Sequence, residues 1–166
     1  MDTFAYVFAL TFIALAMAPA VAHALEFPGK KRLTREAYFT VQPIYYPGFT
    51  IAGIAEVVAI FATFALLWET PRNTAAFWLL ATSLAALLGM QAVFWGITQP
   101  VNKYWLQTMK LTGAGARFFG TDAQRQRRVA NDPVEWTLLR DRWEYSHITR
   151  AALATASLIL VASAKP

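Results

Sequence analysis

Four apolar runs, residues 4–25, 49–68, 75–98 and 144–164, constrain this chain more than any other feature. Each is close to the ~20 residues that a helix needs to cross the hydrocarbon of a bilayer. No water reaches the backbone there, so a run of this length must satisfy its N–H and C=O groups internally, as a helix does. Four such runs predict an all-α, integral membrane, four-helix up-and-down bundle that forms one domain over 1–166. A soluble core of the same composition would spread its 57% hydrophobic residues with a regular period, not in runs almost free of charge. The first run also has the look of a secretory signal ending at Ala22-His23-Ala24. Its amino end carries Asp2 in place of a basic cluster, which favours a retained span.

The chain has no cysteine, which excludes disulfides, thiolate metal sites and cysteine nucleophiles. A net charge of +5 invites a nucleic-acid reading. The placement of the charge argues against it, because the basic residues gather between the apolar runs, as membrane topology requires. Lys30, Lys31, Arg32 and Arg35 occupy the first connection, Arg72 alone the second, and eight Lys or Arg the stretch from 99 to 143. The positive-inside rule then makes the first and third connections cytoplasmic, with both termini outside. Residues 103–132 read as a cytoplasmic excursion, with Gly113-Ala114-Gly115 and the basic Arg125-Gln126-Arg127-Arg128. The lipid bilayer is the partner this pattern demands, and nucleic acid is not.

Local signals fill in the connections. Thr34-Arg35-Glu36 followed by Tyr38 and Phe39 predicts a short interfacial helix, broken by Pro43, Pro47 and Gly48. Tyr38, Tyr45 and Tyr46 suit the membrane–water boundary as anchors. The third run has a stripe of Leu84, Leu88, Gln91, Trp95, Thr98 and Asn102, and Pro100 ends or kinks it. Asp132-Pro133 with Glu135 marks the start of the last helix, an Asp cap followed by proline and an acid. That helix runs to about Ala164.

The last helix carries polar groups where a membrane helix should have none. At ~3.6 residues per turn, Trp136, Arg140, Trp143, Glu144, His147, Ala151 and Ala154 form one stripe. Leu138, Arg142, Tyr145, Thr149, Leu153, Ala156 and Leu160 form the opposite one. In the second run Glu56 shares a stripe with Ala52, Gly53, Ala59 and Thr63, small residues that let helices approach closely. Ionisable groups at membrane depth are costly and face a bundle interior. The up-and-down topology brings His23 and Glu26, Glu56, Asn102, and Glu144, His147 and Arg150 to the same end.

Three readings of this cluster remain open. A metal, if present, would use His23, Glu26, Glu56, Glu144 and His147, since Glu-x-x-His on facing helices builds carboxylate-bridged metal sites. The Glu144-x-x-His147 order occurs once and His23-x-x-Glu26 is reversed, so the expectation is no metal. A structural network would instead have Arg140 or Arg150 neutralise Glu56 or Glu144. In the third reading the cluster is a pocket for a flat aromatic molecule, with Trp95, Asn102, Trp143, Glu144, Glu56 and Arg150 as binding residues. Trp95, Trp143 and Tyr145 near two histidines motivate it, and His147 and His23 are its catalytic candidates. The sequence names no cofactor.

Several segments also carry a resemblance. Ala22-His23-Ala24-Leu25-Glu26-Phe27-Pro28-Gly29-Lys30, Tyr38 to Tyr46, Pro100-Val101-Asn102, and Trp136 through Trp143-Glu144-Tyr145-Ser146-His147 resemble a bacterial family of small four-helix membrane proteins. That family has no assigned function and is distantly similar to the anthrone oxygenases. The excursion at 103–132 is longer than this resemblance leads one to expect. Anthrone oxygenases hydroxylate polycyclic phenols with O₂ and are described as needing no metal or organic cofactor. The resemblance therefore implies an oxidoreductase acting on a planar phenol or quinone. It makes His147 or His23 the base that removes a phenolic proton, with Trp95 and Trp143 stacked on the substrate and Asn102 orienting its oxygen. The other class left open is a non-catalytic accessory subunit of a larger membrane complex, contacting other membrane subunits through Leu153, Ala156 and Leu160.

Overall fold

The computed structural model describes residues 2–105 and 133–164. Helix α1 spans Thr3–Lys30, α2 Arg35–Val41, α3 Gly48–Ala52, α4 Ile54–Glu69, α5 Ala75–Val93, α6 Gln99–Trp105 and α7 Pro133–Ser163. A 3₁₀ turn, Gln42–Tyr45, follows α2, and a π turn, Phe94–Thr98, joins α5 to α6. Among the described residues, side-chain caps start three of the helices. Asp2 accepts from the Ala5 N–H at 2.9 Å, Thr34 from Ala37 at 3.3 Å and Thr74 from Phe77 at 3.2 Å.

Among the described residues, four segments are long and apolar enough to cross a membrane: Thr3–Lys30, Gly48–Glu69, Ala75–Asn102 and Glu135–Ser163. They make this a membrane protein. Neighbours around the bundle run α1, α4, α5, α7 and back to α1, so consecutive spans pack side by side in the up-and-down order. At about 1.5 Å per residue, the 31 residues of α7 reach roughly 46 Å, well beyond a hydrocarbon core of about 30 Å. Its first turns therefore extend past the apolar layer and carry Glu135, Arg140, Asp141 and Arg142, while Glu144 and Arg150 lie deeper.

The core changes character along the bundle. At one end Ala9, Ile13, Ala59, Leu66, Leu80, Leu87, Val161 and Ala164 pack together. Ala20, Met90, Ala151 and Ala154 occupy the middle. Tyr38, Val101, Trp105, Trp136 and Trp143 fill the other end, where α2 folds back over the bundle. Small side chains at the crossings of α1, α4, α5 and α7 allow close approach, and the Ser83 and Ser157 hydroxyls bond at 2.8 Å across α5 and α7.

Some local expectations change. The stripe of α5 that turns inward is Leu80, Ser83, Leu87 and Met90, while Leu88 and Trp95 are exposed. Pro100 does not end the span. It lacks an N–H, so the carbonyl four residues earlier has no α-helical donor, and the chain widens into the π turn just before it. Helix α1 continues past Leu25 to Lys30, through Pro28. Of the excursion at 103–132, residues 103–105 belong to α6; the glycines at 113 and 115, the arginines at 125–128 and the Asp132 cap lie outside the described residues.

Candidate functional site

The aromatic end of the bundle holds a dense group of ionisable side chains. His23 comes from α1, Glu56 from the first turn of α4, and Glu144, His147 and Arg150 from α7, all buried. Lys30, in the last turn of α1, is buried with them and is the residue that sequence reasoning missed. Its Nζ lies 2.9 Å from Glu26 Oε2, 3.6 Å from Glu144 Oε1 and 3.1 Å from His23 Nδ1. The ammonium also sits 4.6 Å from the Tyr45 ring centre and 5.0 Å from that of Trp143. The signal was available, since Lys30 follows Glu26 by one helical turn and His23 by two. A basic residue beside Lys31 and Arg32 reads as topology, however.

Tyr38 is the second correction. It is not a boundary anchor but fully buried, and its hydroxyl donates to Glu144 Oε1 at 2.9 Å. Tyr45 donates to Glu26 Oε2 at 2.6 Å. Burial first, and Glu144 next, hold the Tyr38 phenol far above the usual tyrosine range. Burial and the bond to Glu26 do the same for Tyr45. Both phenols therefore keep their protons and act as donors.

Glu144 has no exposed surface, and its partners are Lys30 and Tyr38. Glu56 is paired by Arg150, whose Nη2 donates to Oε2 at 2.8 Å. Arg140, the other cation that could have neutralised a buried carboxylate, does not reach either. It bonds Asp141 at 2.9 Å and lies over the Trp136 ring, one turn of α7 before Glu144.

The two histidine rings meet in a tilted arrangement, with ring centres 4.1 Å apart and planes inclined at 41°. Around them stand Tyr45 at 4.4 Å and Phe49 at 5.0 Å from His23, and Trp143 at 4.3 Å from His147. The Trp143 indole N–H donates to Asn102 Oδ1 at 2.6 Å, and Asn102 Nδ2 donates to Gln99 at 3.2 Å. Both ends of the Asn102 amide are thus engaged, and its Oδ1 holds the Trp143 indole in place. Ser146, bonded to Thr98 at 2.8 Å, ties α7 to the π turn.

A cavity of about 640 Å³ opens onto this group. His23, Glu56, His147, Arg150, Asn102, Trp143 and Trp95 line it together with Gln42, Tyr45, Phe49 and Phe94. Its rim is apolar and exposed, formed by Ile51, Ile54, Val57 and Trp95 on the α3–α4 and π-turn side. Trp95 stands at that rim, 56% exposed, with its indole N–H bonded to Gln91. Glu144 lies behind the wall, against Lys30 and Tyr38. Tyr145 is not part of the site; it is exposed and rests against Phe27. Among the described residues no three His, Asp or Glu are placed to hold one metal ion, so His23, Glu26, Glu56, Glu144 and His147 do not form a joint ligand set. Lys30 and Arg150 occupy the positions between them.

The family model described as Anthrone oxygenase matches residues 42–160. That stretch contains Glu56, Asn102, Trp143, Glu144, His147 and Arg150, whereas His23, Lys30 and Tyr38 precede it. No curated protein and no solved structure matches the chain.

Proposed function

Because this chain belongs to the anthrone oxygenase family, we propose that its cavity takes a planar phenol- or quinone-like molecule from the membrane and that the protein oxygenates it with O₂. The observation that carries this reading is the cavity itself. Its ~640 Å³ falls within the range of about 300–1,000 Å³ usual for small-molecule sites, and its wall combines two imidazoles with aromatic faces. Each aromatic face contributes roughly 0.5–1.5 kcal/mol beyond area burial, which favours a flat, apolar ligand over an ion or a sugar. The exposed Ile51, Ile54 and Val57 supply an entrance at the side of the bundle, where such a molecule dissolves.

In this reading Trp143 and Trp95 flank the ring system, and His147 and His23 meet its oxygen. Glu56, with Arg150, faces the substrate, while Glu144 and Lys30 hold the wall. For an anthrone the balance is simple. A ring methylene becomes a carbonyl, one atom of O₂ entering the product and the other leaving as water. The chain forms a single domain in the bacterial inner membrane, with the cavity in the cytoplasmic half and both termini outside. The test is purified protein in lipid nanodiscs supplied with anthrone under air. Oxygen uptake matched by anthraquinone formation above the uncatalysed rate is expected, and His147→Ala should remove it. Wild-type protein that neither binds anthrone nor takes up oxygen would sink the reading.

A further inference from the structure

The hydrogen-bond partners of the two histidines decide what they can do. Arg150 Nη1 approaches His147 Nδ1 at 3.4 Å, and a guanidinium only donates. His147 Nδ1 must accept, so the ring carries its proton on Nε2. A proton on Nδ1 would set donor against donor. His147 is only 6% exposed and its Nε2 has no partner among the described residues. The same logic holds for His23, whose Nδ1 lies 3.1 Å from Lys30, an ammonium held by Glu26 and Glu144. Both imidazoles therefore present N–H groups rather than lone pairs. In the same cavity Glu56, 2% exposed and held by the same Arg150 guanidinium, has Oε2 taken while Oε1 has no partner among the described residues.

We propose that Glu56 is the proton acceptor of this site and that His147 and His23 are hydrogen-bond donors to the oxyanion, in reverse of the roles the family resemblance implies. The inference rests on the oxygenase reading above and specifies its chemistry. With a planar aromatic ketone bearing an acidic ring methylene, the C–H bond breaks and its proton goes to Glu56 Oε1. The electron pair moves through the ring to the ketone oxygen, which the Nε2–H groups hold as an enolate. A carboxylate base opposite buried donors is an arrangement known to serve enolisation. Donors fixed where charge develops, in a site shielded from water, lower its barrier without reorganising. Arg150 acts as a positioning residue, fixing the tautomer of His147 and the orientation of Glu56 at once.

Glu56→Gln keeps the shape and still accepts from Arg150, but it cannot take a proton. Turnover of anthrone should fall by about 10²–10⁴-fold with binding retained. A hydroxyanthraquinone, whose ionised form absorbs at longer wavelength, should bind to this variant more fully ionised than to wild type, since the opposing carboxylate charge is gone. His147→Phe should lose both that spectral shift and roughly 10²–10³-fold in rate. His147→Gln, which restores an N–H donor but no base, should recover part of each. The roles assigned here are overturned if Glu56→Gln, eluting as a single folded species, keeps turnover within about tenfold of wild type. They are equally overturned if His147→Gln is as inactive as His147→Phe, a result that stands even if Glu56→Gln does not fold. A wild type without turnover would instead remove the oxygenase reading, and this one with it.

Discussion

Lys30 and Lys31 are adjacent in sequence and both paired with carboxylates, yet their removal should have very different consequences. Lys31 bonds both oxygens of Asp141 at 2.8 Å, but each partner is about a third exposed, at 34% and 32%. Pairs of this kind contribute roughly 0.2–1 kcal/mol, because water already solvates both ions well. Lys30 is 5% exposed and lies between Glu26 and Glu144, the latter wholly buried. Lys30→Met fills a similar volume and leaves the Glu144 carboxylate with no cation, and breaking a buried pair in this way costs about 3–5 kcal/mol. Loss of the contacts with the Tyr45 and Trp143 rings adds about 0.5–2 kcal/mol. Lys31→Met should cost less than about 1 kcal/mol. Reversible unfolding in mixed micelles, followed by tryptophan fluorescence, measures both. The double variant Lys30→Met with Glu144→Gln should recover a large part of the loss, because the stranded charge is removed. If Lys30→Met is no more destabilising than Lys31→Met, or if Glu144→Gln fails to offset it, the account of this end of the bundle is wrong.

Other outcomes are open to direct measurement. Tyr38→Phe leaves Glu144 short of a buried donor and should cost about 1.5–3 kcal/mol in the same assay. The Tyr38 phenol is held above its unfolded value, so above about pH 10 the unfolded chain releases a proton that the fold retains. Stability should therefore fall as pH rises beyond that point, and more steeply in wild type than in Tyr38→Phe. Tyr145→Phe, on the exposed stripe, should leave anthrone binding and turnover unchanged, whereas Trp143→Ala should weaken binding; equal effects would contradict the placement of the cavity. Single cysteines introduced at 31–36 and 120–128 should react with impermeant maleimide only from the cytoplasmic side, and labelling of intact cells at either would reverse the orientation.

Four spans, their order around the bundle and membership of an oxygenase family follow from the sequence alone. Apolar runs of this length have no other stable form in lipid, and the short turn between Glu69 and Ala75 forces the second and third spans to be neighbours. The buried stripe of α7 was equally legible, since Trp136, Trp143, Glu144 and His147 repeat at helical spacing and charges inside a membrane must turn inward. What the sequence could not contain is which cation meets which carboxylate. Lys30, Lys31, Arg140 and Arg150 all lie within reach of some acid, and only the packing of α1 against α7 puts Lys30 beside Glu144 and Arg150 beside Glu56. Tyr38 became a buried donor because α2 folds over the bundle end, a placement that no local pattern in 34–46 announces. The proton positions on His23 and His147 were decided last. Each depends on one donor to Nδ1, from seven residues on in α1 for His23 and from the next turn of α7 for His147. Helix formation is local and periodic, so it can be read along the chain; donor and acceptor roles are settled across helices, where a displacement of about one hydrogen-bond length exchanges one partner for another.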